Sequence, residues 1–284
     1  MKIKVSEVFF SLQGEGRYLG VPSIFVRTFG CNFTCSGYGM PQGELSTEAE
    51  RVNPDLYMSY NDLPLVHTGC DSYASWDVRF KHFSPYMNVN ELVDKIEVLL
   101  NGKKFGRDLH LIFTGGEPLL GWQQVYPEII DELYKRDLVF KMYVTFETNG
   151  TQRLKEPLTA YLSNPDKVHE TTFAVSSKLP SSGHPIEKAI LPRTVKTYTY
   201  VRESMGSFLK WVISSEKDME DALVAADMYF QGGVTWPIYL MPAGGTPQSY
   251  KVNAVRVAEL VKKYEHFRYS PRLQVMLWGN SWAS

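Results

Sequence analysis

The sequence predicts an α/β fold with a parallel sheet, arranged as an open or partial (β/α)6-type barrel. Six short runs rich in β-branched and aromatic residues recur along the 284 residues, and amphipathic helical patterns lie between them. Alternating strands and helices imply right-handed crossovers between parallel strands. Six such units fall short of the eight that close a (β/α)8 barrel, so we expect the barrel to stay open.

The predicted strands are residues 23–29, 109–114, 142–147, 172–176, 208–213 and 236–241. The first predicted helix follows Asn90 and ends at Asn101-Gly102, and its apolar residues share one face: Leu92, Val93, Ile96, Leu99 and Leu100. Similar amphipathic patterns predict helices at 126–136, 217–229 and 250–264.

Composition and charge limit the classes of function. Thirty basic and 31 acidic residues leave a net charge of −1, so no overall field attracts the chain to nucleic acid or to an anionic membrane. The first residues turn polar before the apolar core of a leader could form, and no apolar run approaches the roughly 20 residues of a membrane span. We therefore expect a cytoplasmic protein with neither a membrane nor a direct nucleic-acid partner.

One segment interrupts the alternation of strands and helices. Residues 36–69 are rich in Gly, Pro, Ser, Asn and Asp and have no clear hydrophobic period. We interpret the chain as one domain, residues 1–284, with an insertion at about 36–69.

Three cysteines are too few, and odd in number, for a disulfide framework, so they are spare thiols, metal ligands or nucleophiles. Cys31 and Cys35 directly follow the first predicted strand, and Gly30 allows a tight turn before them. The carboxyl ends of parallel strands are where ligands bind in α/β folds. An isolated C-x3-C pair is nevertheless more often incidental.

Three further motifs follow the next three predicted strands. They are Gly115-Gly116-Glu117-Pro118, then Glu147-Thr148-Asn149-Gly150, then Ser176-Ser177-Lys178. Each alone is compatible with an ordinary strand-to-helix turn. Their joint order after successive strands, together with the C-x3-C loop, resembles the radical S-adenosylmethionine (SAM) superfamily and its partial barrel.

Other residues narrow the resemblance to one family. Residues 11–16 read Ser-Leu-Gln-Gly-Glu-Gly, Arg27 lies just before the cysteines, and residues 277–280 read Leu-Trp-Gly-Asn. These features resemble the 7-carboxy-7-deazaguanine synthase family, which belongs to the pathway to queuosine and related deazaguanines. The resemblance spans nearly the whole chain apart from residues 36–69.

The chain departs from the family at the third cysteine of its C-x3-C-x2-C motif, where Tyr38 stands. The family continues Cys-Asp-Thr after that cysteine, and Cys70-Asp71-Ser72 is similar to this continuation. We therefore interpret the motif as C-x3-C-x34-C, with the insertion between the second and third ligands. Because both ends of the insertion then meet the cluster, we expect it to cover that side of the pocket. Its apolar residues are expected to pack it against the protein: Leu56, Tyr57, Met58, Tyr60, Leu63, Leu65 and Val66.

The resemblance implies that Cys31, Cys35 and Cys70 are the catalytic cysteines that hold a 4Fe-4S cluster and leave one iron for SAM. It further implies a set of SAM-binding residues: Gly69, Asp71, Gly115, Gly116, Glu117, Thr148, Asn149, Ser176, Ser177 and Lys178. Of these, Gly116 and Glu117 are expected at the amino group of SAM, and Ser176 and Lys178 at its carboxylate or ribose.

The substrate that the resemblance implies is 6-carboxy-5,6,7,8-tetrahydropterin, which is converted to 7-carboxy-7-deazaguanine with loss of ammonia. Arg27 offers a planar fork for the carboxylate. The implied pterin contacts are Leu12, Gln13, Gly14, Glu15 and Thr114. The family also implies Mg²⁺ near the hydroxyl of Ser72, a flavodoxin or ferredoxin-type reductant, and a homodimer.

Two alternatives remain open at this stage. A radical SAM activase that forms a glycyl radical on a partner protein would share the C-x3-C loop and SAM binding. A zinc-binding module could combine the three cysteines with His67, which lies three residues before Cys70. Zinc would leave the other strand-end motifs without a common purpose, and we expect His67 to be a surface residue.

Overall fold

A computed structural model describes residues 1–202, 204 and 206–284. The strands are β1 (Lys2–Leu12), β2 (Pro22–Thr28), β3 (Tyr86–Asn88), β4 (His110–Gly115), β5 (Tyr143–Thr148), β6 (Glu170–Val175), β7 (Phe208–Ile213), β8 (Ile238–Pro242) and β9 (Phe267–Tyr269). The helices are α1 (Val89–Leu100), α2 (Tyr126–Lys135), α3 (Glu156–Leu162), α4 (Ile186–Ala189), α5 (Pro192–Lys196), α6 (Glu216–Gln231), α7 (Pro247–Lys262) and α8 (Leu273–Trp278).

The strands form one sheet in the order β3-β1-β2-β4-β5-β6-β7-β8-β9. From β2 to β9 every neighbouring pair is parallel, whereas β1 is antiparallel to both β2 and β3. All six predicted strands are present, in sequence order within the parallel part. The predicted α/β fold with a parallel sheet is therefore confirmed, and β1 and β3 make the sheet mixed.

Local sequence explains where the helices begin. Helix α1 starts after Asn88, which forms a capping box with Glu91, and it ends at Asn101 in the left-handed conformation, with φ 47°. Helix α6 starts at a capping box between Ser215 and Asp218. The apolar faces of the helices pack on the sheet in one large core.

Residues 36–69, all of which the structure describes, contain only short 3-10 turns and no strand or α-helix. A second small core joins Tyr60, Leu63 and Val66 of this segment to Tyr73, Ala74 and Phe80. Leu56 and Met58 are 74% and 94% exposed, so the expectation that they pack the segment down is wrong. Such short turns bury one side of the chain and leave the other in solvent.

No helix among the described residues is long and apolar enough to cross a membrane.

Candidate active site

The loop after β2 carries Cys31 and Cys35 at the carboxyl edge of the sheet. Gly30 has a φ of 117°, a conformation that favours glycine, and its amide donates to the carbonyl of Ser75 at 2.8 Å. At the other end of the loop, Nε2 of His184 accepts the amides of Thr34 and Cys35 at 3.2 and 3.1 Å. Fixed partners at both ends hold the two thiols in place.

Cys70 joins these two thiols from a distant part of the chain. Cys35 packs with Phe33 and Ala189, and Cys31, Tyr38 and Cys70 pack against the same small cluster. All three cysteines are free, and burial raises the pKa of each, that of Cys31 to about 12. The side chain of Lys178 faces the same group: burial alone would lower its pKa, but the three sulfurs and Asp71 raise it.

The three thiols do not form a site for a single metal ion. Among the described residues, no group of three or more His, Cys, Asp or Glu side chains could hold one metal ion. His67 is exposed, as expected, and its main-chain amide donates to Glu48 at 2.9 Å. A 4Fe-4S cluster takes each thiolate on a separate iron, so its ligands need not converge on one point.

The glycines of the Gly115-Gly116-Glu117 motif allow close packing of the second loop on the first. A Cβ on Gly115 would lie 2.2 Å from the carbonyl oxygen of Thr28, and one on Gly116 would lie 2.3 Å from that of Gly30. Both glycines line the cavity described below. Because neither glycine has a side chain, the main chain of this loop lies close to the loop that carries the thiols.

The side chain of Glu117 lies behind the cavity wall and does not line the cavity. Its buried carboxylate accepts the amide of Leu119 at 3.0 Å, the hydroxyl of Thr148 at 2.7 Å and the amide of Asn149 at 2.6 Å. Burial raises its pKa, although these donors and Lys178 oppose the rise. Glu117 thus fixes the Thr148-Asn149 loop, which does face the cavity, and Nδ2 of Asn149 lies 3.9 Å from Sγ of Cys31.

In the Ser176-Ser177-Lys178 motif, too, some side chains face the cavity and one does not. Ser176 and Lys178 line the cavity, with 3.3 Å between the lysine Nζ and the serine Oγ. Ser177 is buried on the opposite side, where its hydroxyl lies 2.6 Å from that of Tyr229. The side chain of Ser177 therefore faces away from the cavity, because successive side chains of extended backbone point in opposite directions.

A second set of polar groups surrounds Glu147, which the sequence analysis named in a motif but not as a site residue. Its two carboxylate oxygens accept Nε2 of Gln13 at 3.1 Å and the hydroxyl of Thr114 at 2.9 Å. Leu12 and Gly14 flank Gln13 on the cavity wall. The predicted pterin contacts thus lie together, with Glu147 at their centre.

Arg27 lines the same cavity. Its Nε donates to Oε2 of Glu7 at 2.7 Å, and its Nη1 lies 3.4 Å from the hydroxyl of Ser72. The Ser72 hydroxyl also lies 3.2 Å from Oδ1 of Asp71. Glu7 is a partner that the sequence analysis missed, although its place on β1 opposite Arg27 on β2 follows from strand pairing.

Glu15 is the centre of a buried charge network. It pairs with Lys210 and accepts Nε of Arg272 at 3.3 Å and Nε2 of Gln274 at 2.9 Å. Burial would raise the pKa of Glu15, but the two cations lower it to about 2. Arg272 also donates to Asp71 at 2.6 Å, so it connects Glu15 to the residue that follows Cys70. The sequence analysis missed all three partners of Glu15.

One cavity of about 710 Å³ lies at the carboxyl edge of the parallel sheet, and it is lined by the three thiols, Gly115, Gly116, Arg27, Glu147 and Glu15. Residues 280–284 and the ends of the 36–69 segment complete its wall. Most ligand sites have volumes of roughly 300 to 1,000 Å³, so this cavity is large enough for a cofactor beside a small substrate. Three thiols, two from the loop after β2 and one from Cys70, beside bare glycine backbone in such a cavity are typical of the radical SAM class of enzymes.

Comparison with known proteins agrees with this class. The chain is 26% identical to the 7-carboxy-7-deazaguanine synthase of Halobacterium salinarum, over 98% of this chain and 91% of that protein. It is 30% identical to the synthase of Buchnera aphidicola, over 62% of this chain and 67% of that protein. The crystal structure of QueE from Escherichia coli has the same fold, with a TM-score of 0.51 at 18% identity over 96% of this chain and 95% of that one. No family model matches the sequence.

The chain belongs to the 7-carboxy-7-deazaguanine synthase family.

Proposed function

We propose that this chain converts 6-carboxy-5,6,7,8-tetrahydropterin to 7-carboxy-7-deazaguanine with loss of ammonia, as a carbon-nitrogen lyase of the radical SAM class. The observation that supports this most is that three thiols and Arg27 face one cavity. A cofactor held by the thiols and an anionic substrate held by the arginine would meet in the same enclosed space.

Cys31, Cys35 and Cys70 would hold the 4Fe-4S cluster, which leaves one iron open for SAM. The cluster and SAM together supply the radical chemistry, while the protein positions the reactants and excludes water. Tyr38 packs beside these cysteines and is not a ligand in this proposal. Residues 36–69 are then an insertion between the second and third ligands of a single domain.

The SAM side of the cavity has bare backbone and one available cation. Lys178 has no carboxylate partner among the described residues, so its ammonium suits the SAM carboxylate. The backbone of Gly115 and Gly116 and the side chains of Ser176 and Asn149 face the same space, and Gly69 and Asp71 border it. Glu117 and Ser177 contribute from behind the wall, as described above.

The substrate side has the groups that a carboxypterin needs. Arg27 would bind the carboxylate, and Gln13, Thr114 and Glu147 would bind the pterin edge, which carries both donors and acceptors. Glu15, ionised at neutral pH because its pKa is about 2, adds an acceptor. Mg²⁺ is also part of this proposal: the Ser72 hydroxyl would be its protein ligand, and oxygen atoms of water and substrate would complete the oxygen set that Mg²⁺ prefers.

The proposal also includes a flavodoxin or ferredoxin-type reductant, a cytoplasmic location and a homodimer. The product would enter the pathway to queuosine or a related deazaguanine, in tRNA or in DNA.

Turnover by the anaerobically reconstituted enzyme tests the proposal. With SAM, a reductant and the carboxypterin, mass spectrometry should detect 7-carboxy-7-deazaguanine and an equal amount of ammonia. Arg27→Ala should impair turnover of the carboxypterin much more than uncoupled SAM cleavage, since loss of a buried charged partner costs about 2 to 5 kcal/mol. Arg136→Ala, which removes an arginine from helix-to-helix ion pairs outside the cavity, is the matched control. Equal loss of both activities in Arg27→Ala would mean that Arg27 is structural.

A further inference from the structure

Residues 280–284 form part of the cavity wall, and Trp282 holds them against the 36–69 segment. Nε1 of Trp282 donates to the carbonyl of Leu63 at 2.7 Å. The indole also lies edge-on to Tyr60, with 4.9 Å between ring centroids, and 6.1 Å from Tyr73. Trp282 is therefore held by one hydrogen bond and two aromatic contacts, and two of these three partners come from the 36–69 segment.

The surface that receives Trp282 is itself anchored to the cluster loop. Tyr60 is 5% exposed, and its hydroxyl lies 2.7 Å from that of Ser75. The carbonyl of Ser75 accepts the amide of Gly30, one residue before Cys31. Tyr60 is thus anchored by a hydrogen bond that does not involve Trp282, and an anchored partner lowers the entropic cost of ordering residues 280–284.

The next residue connects this contact to Arg27. Ala283 packs against the cluster of Phe9, Phe25 and Ile112, and the guanidinium of Arg27 lies 5.8 Å from the Phe9 ring. Burial raises the pKa of Glu7, and Arg27 and the nearby main-chain amide of Ala283 oppose the rise. Oε1 of Glu7 is buried without a hydrogen-bond partner among the described residues, so its surroundings depend on where Ala283 lies. Glu7 in turn binds Nε of Arg27. Displacement of residues 280–284 would therefore disturb the placement of Arg27.

We propose that the 36–69 segment uses Trp282 to hold residues 280–284 as a wall of the substrate side of the cavity. Trp282 is a positioning residue, because it acts on the substrate through Ala283, Glu7 and Arg27. The identity of the substrate rests on the proposed function. The segment then serves the substrate site as well as spanning the distance between two cluster cysteines.

Trp282→Ala in the reconstituted holoenzyme should raise KM for the carboxypterin by about tenfold or more, equivalent to about 1.4 kcal/mol. The KM for SAM should change much less, because the hydrogen bond and ring contacts of Trp282 go to Leu63, Tyr60 and Tyr73, and none of these is assigned to SAM. The share of SAM cleaved without product should increase. Tyr60→Leu, made in the 36–69 segment, should reproduce the effect, and the double variant should be less than additive because the two side chains are in contact.

Trp278→Ala is the matched control, because this tryptophan is 40% exposed on α8. Hydrogen exchange in the holoenzyme provides a readout that does not depend on turnover: residues 280–284 should exchange faster in Trp282→Ala and Tyr60→Leu than in the parent or in Trp278→Ala. Unchanged exchange and unchanged KM would overturn the inference. If the parent does not turn over the carboxypterin, the proposed function is wrong, and exchange alone decides whether the segment holds this wall.

Discussion

Substitution of Glu117 by glutamine distinguishes a residue that binds SAM from one that holds a loop. The side chain keeps its size, but one carboxylate oxygen becomes an NH₂ group. In the parent, one oxygen accepts both the Leu119 amide and the Thr148 hydroxyl, and the other accepts the Asn149 amide. Glutamine can satisfy one of these two sides only, so at least one buried donor faces another donor.

The expected loss of stability follows from the hydrogen bonds that glutamine cannot accept. A hydrogen bond to a charged group contributes about 1.5 to 3 kcal/mol, and a buried donor left without a partner costs a similar amount. We therefore expect Glu117→Gln to lower the free energy of unfolding by about 2 to 3 kcal/mol. The free energy of SAM binding should change by less than this, because the Glu117 carboxylate does not line the cavity.

Urea unfolding followed by circular dichroism measures the first quantity, and equilibrium binding of SAM to the reconstituted enzyme measures the second. Glu259→Gln is the control, since Glu259 is 59% exposed on α7 and should unfold like the parent. The reasoning is refuted if Glu117→Gln unfolds like the parent while its dissociation constant for SAM rises by about tenfold or more. Glu117 would then contact SAM directly.

Two further predictions concern the charge network and the glycine loop. The pKa of Glu15 is lowered to about 2 from an ordinary value of 4.5, so its contribution to stability is present above pH 4.5 and is lost as the pH falls towards 2. Glu15→Gln should therefore flatten the decline of the unfolding free energy between about pH 4.5 and 2, and an unchanged slope would contradict this. Gly116→Ala would place a Cβ 2.3 Å from the Gly30 carbonyl oxygen and 2.8 Å from Cβ of Cys31, and should lower both stability, by about 1 to 3 kcal/mol, and iron content. Gly106→Ala, whose nearest neighbour is 3.9 Å away, should do neither, and equal iron in both variants would count against the close packing.

The sequence predicted six of the seven parallel strands, β9 being the exception, and the longer helices, because both kinds of element have a hydrophobic period that does not depend on distant contacts. It missed β1, although Lys2 and Lys4 alternate with the buried Ile3 and Val5 in the pattern of a half-buried strand. It also missed β3 and β9, which are three residues long and too short for any period.

The candidate site was predictable where residues follow strands directly, as Cys31, Gly115 and Ser176 do. The partners of Glu15 were not, because Lys210 and Arg272 reach it across 195 and 257 residues of sequence. The sequence did give one indication of a role for Lys210, because it is the only charged residue in β7. The direction of the Glu117 and Ser177 side chains could not be predicted from the sequence, because only tertiary packing decides which members of a loop face the cavity.

The third cluster ligand is the point on which the account depends most. Cys70→Ala and Tyr38→Phe should be reconstituted beside the parent and compared by iron and sulfide content and by electron paramagnetic resonance, before and after SAM is added. We expect the parent and Tyr38→Phe to hold a 4Fe-4S cluster whose spectrum changes with SAM, because one iron is open. Cys70→Ala should lose the intact cluster and all product formation. A normal cluster and full turnover in Cys70→Ala would contradict the assignment of Cys70 as the third ligand.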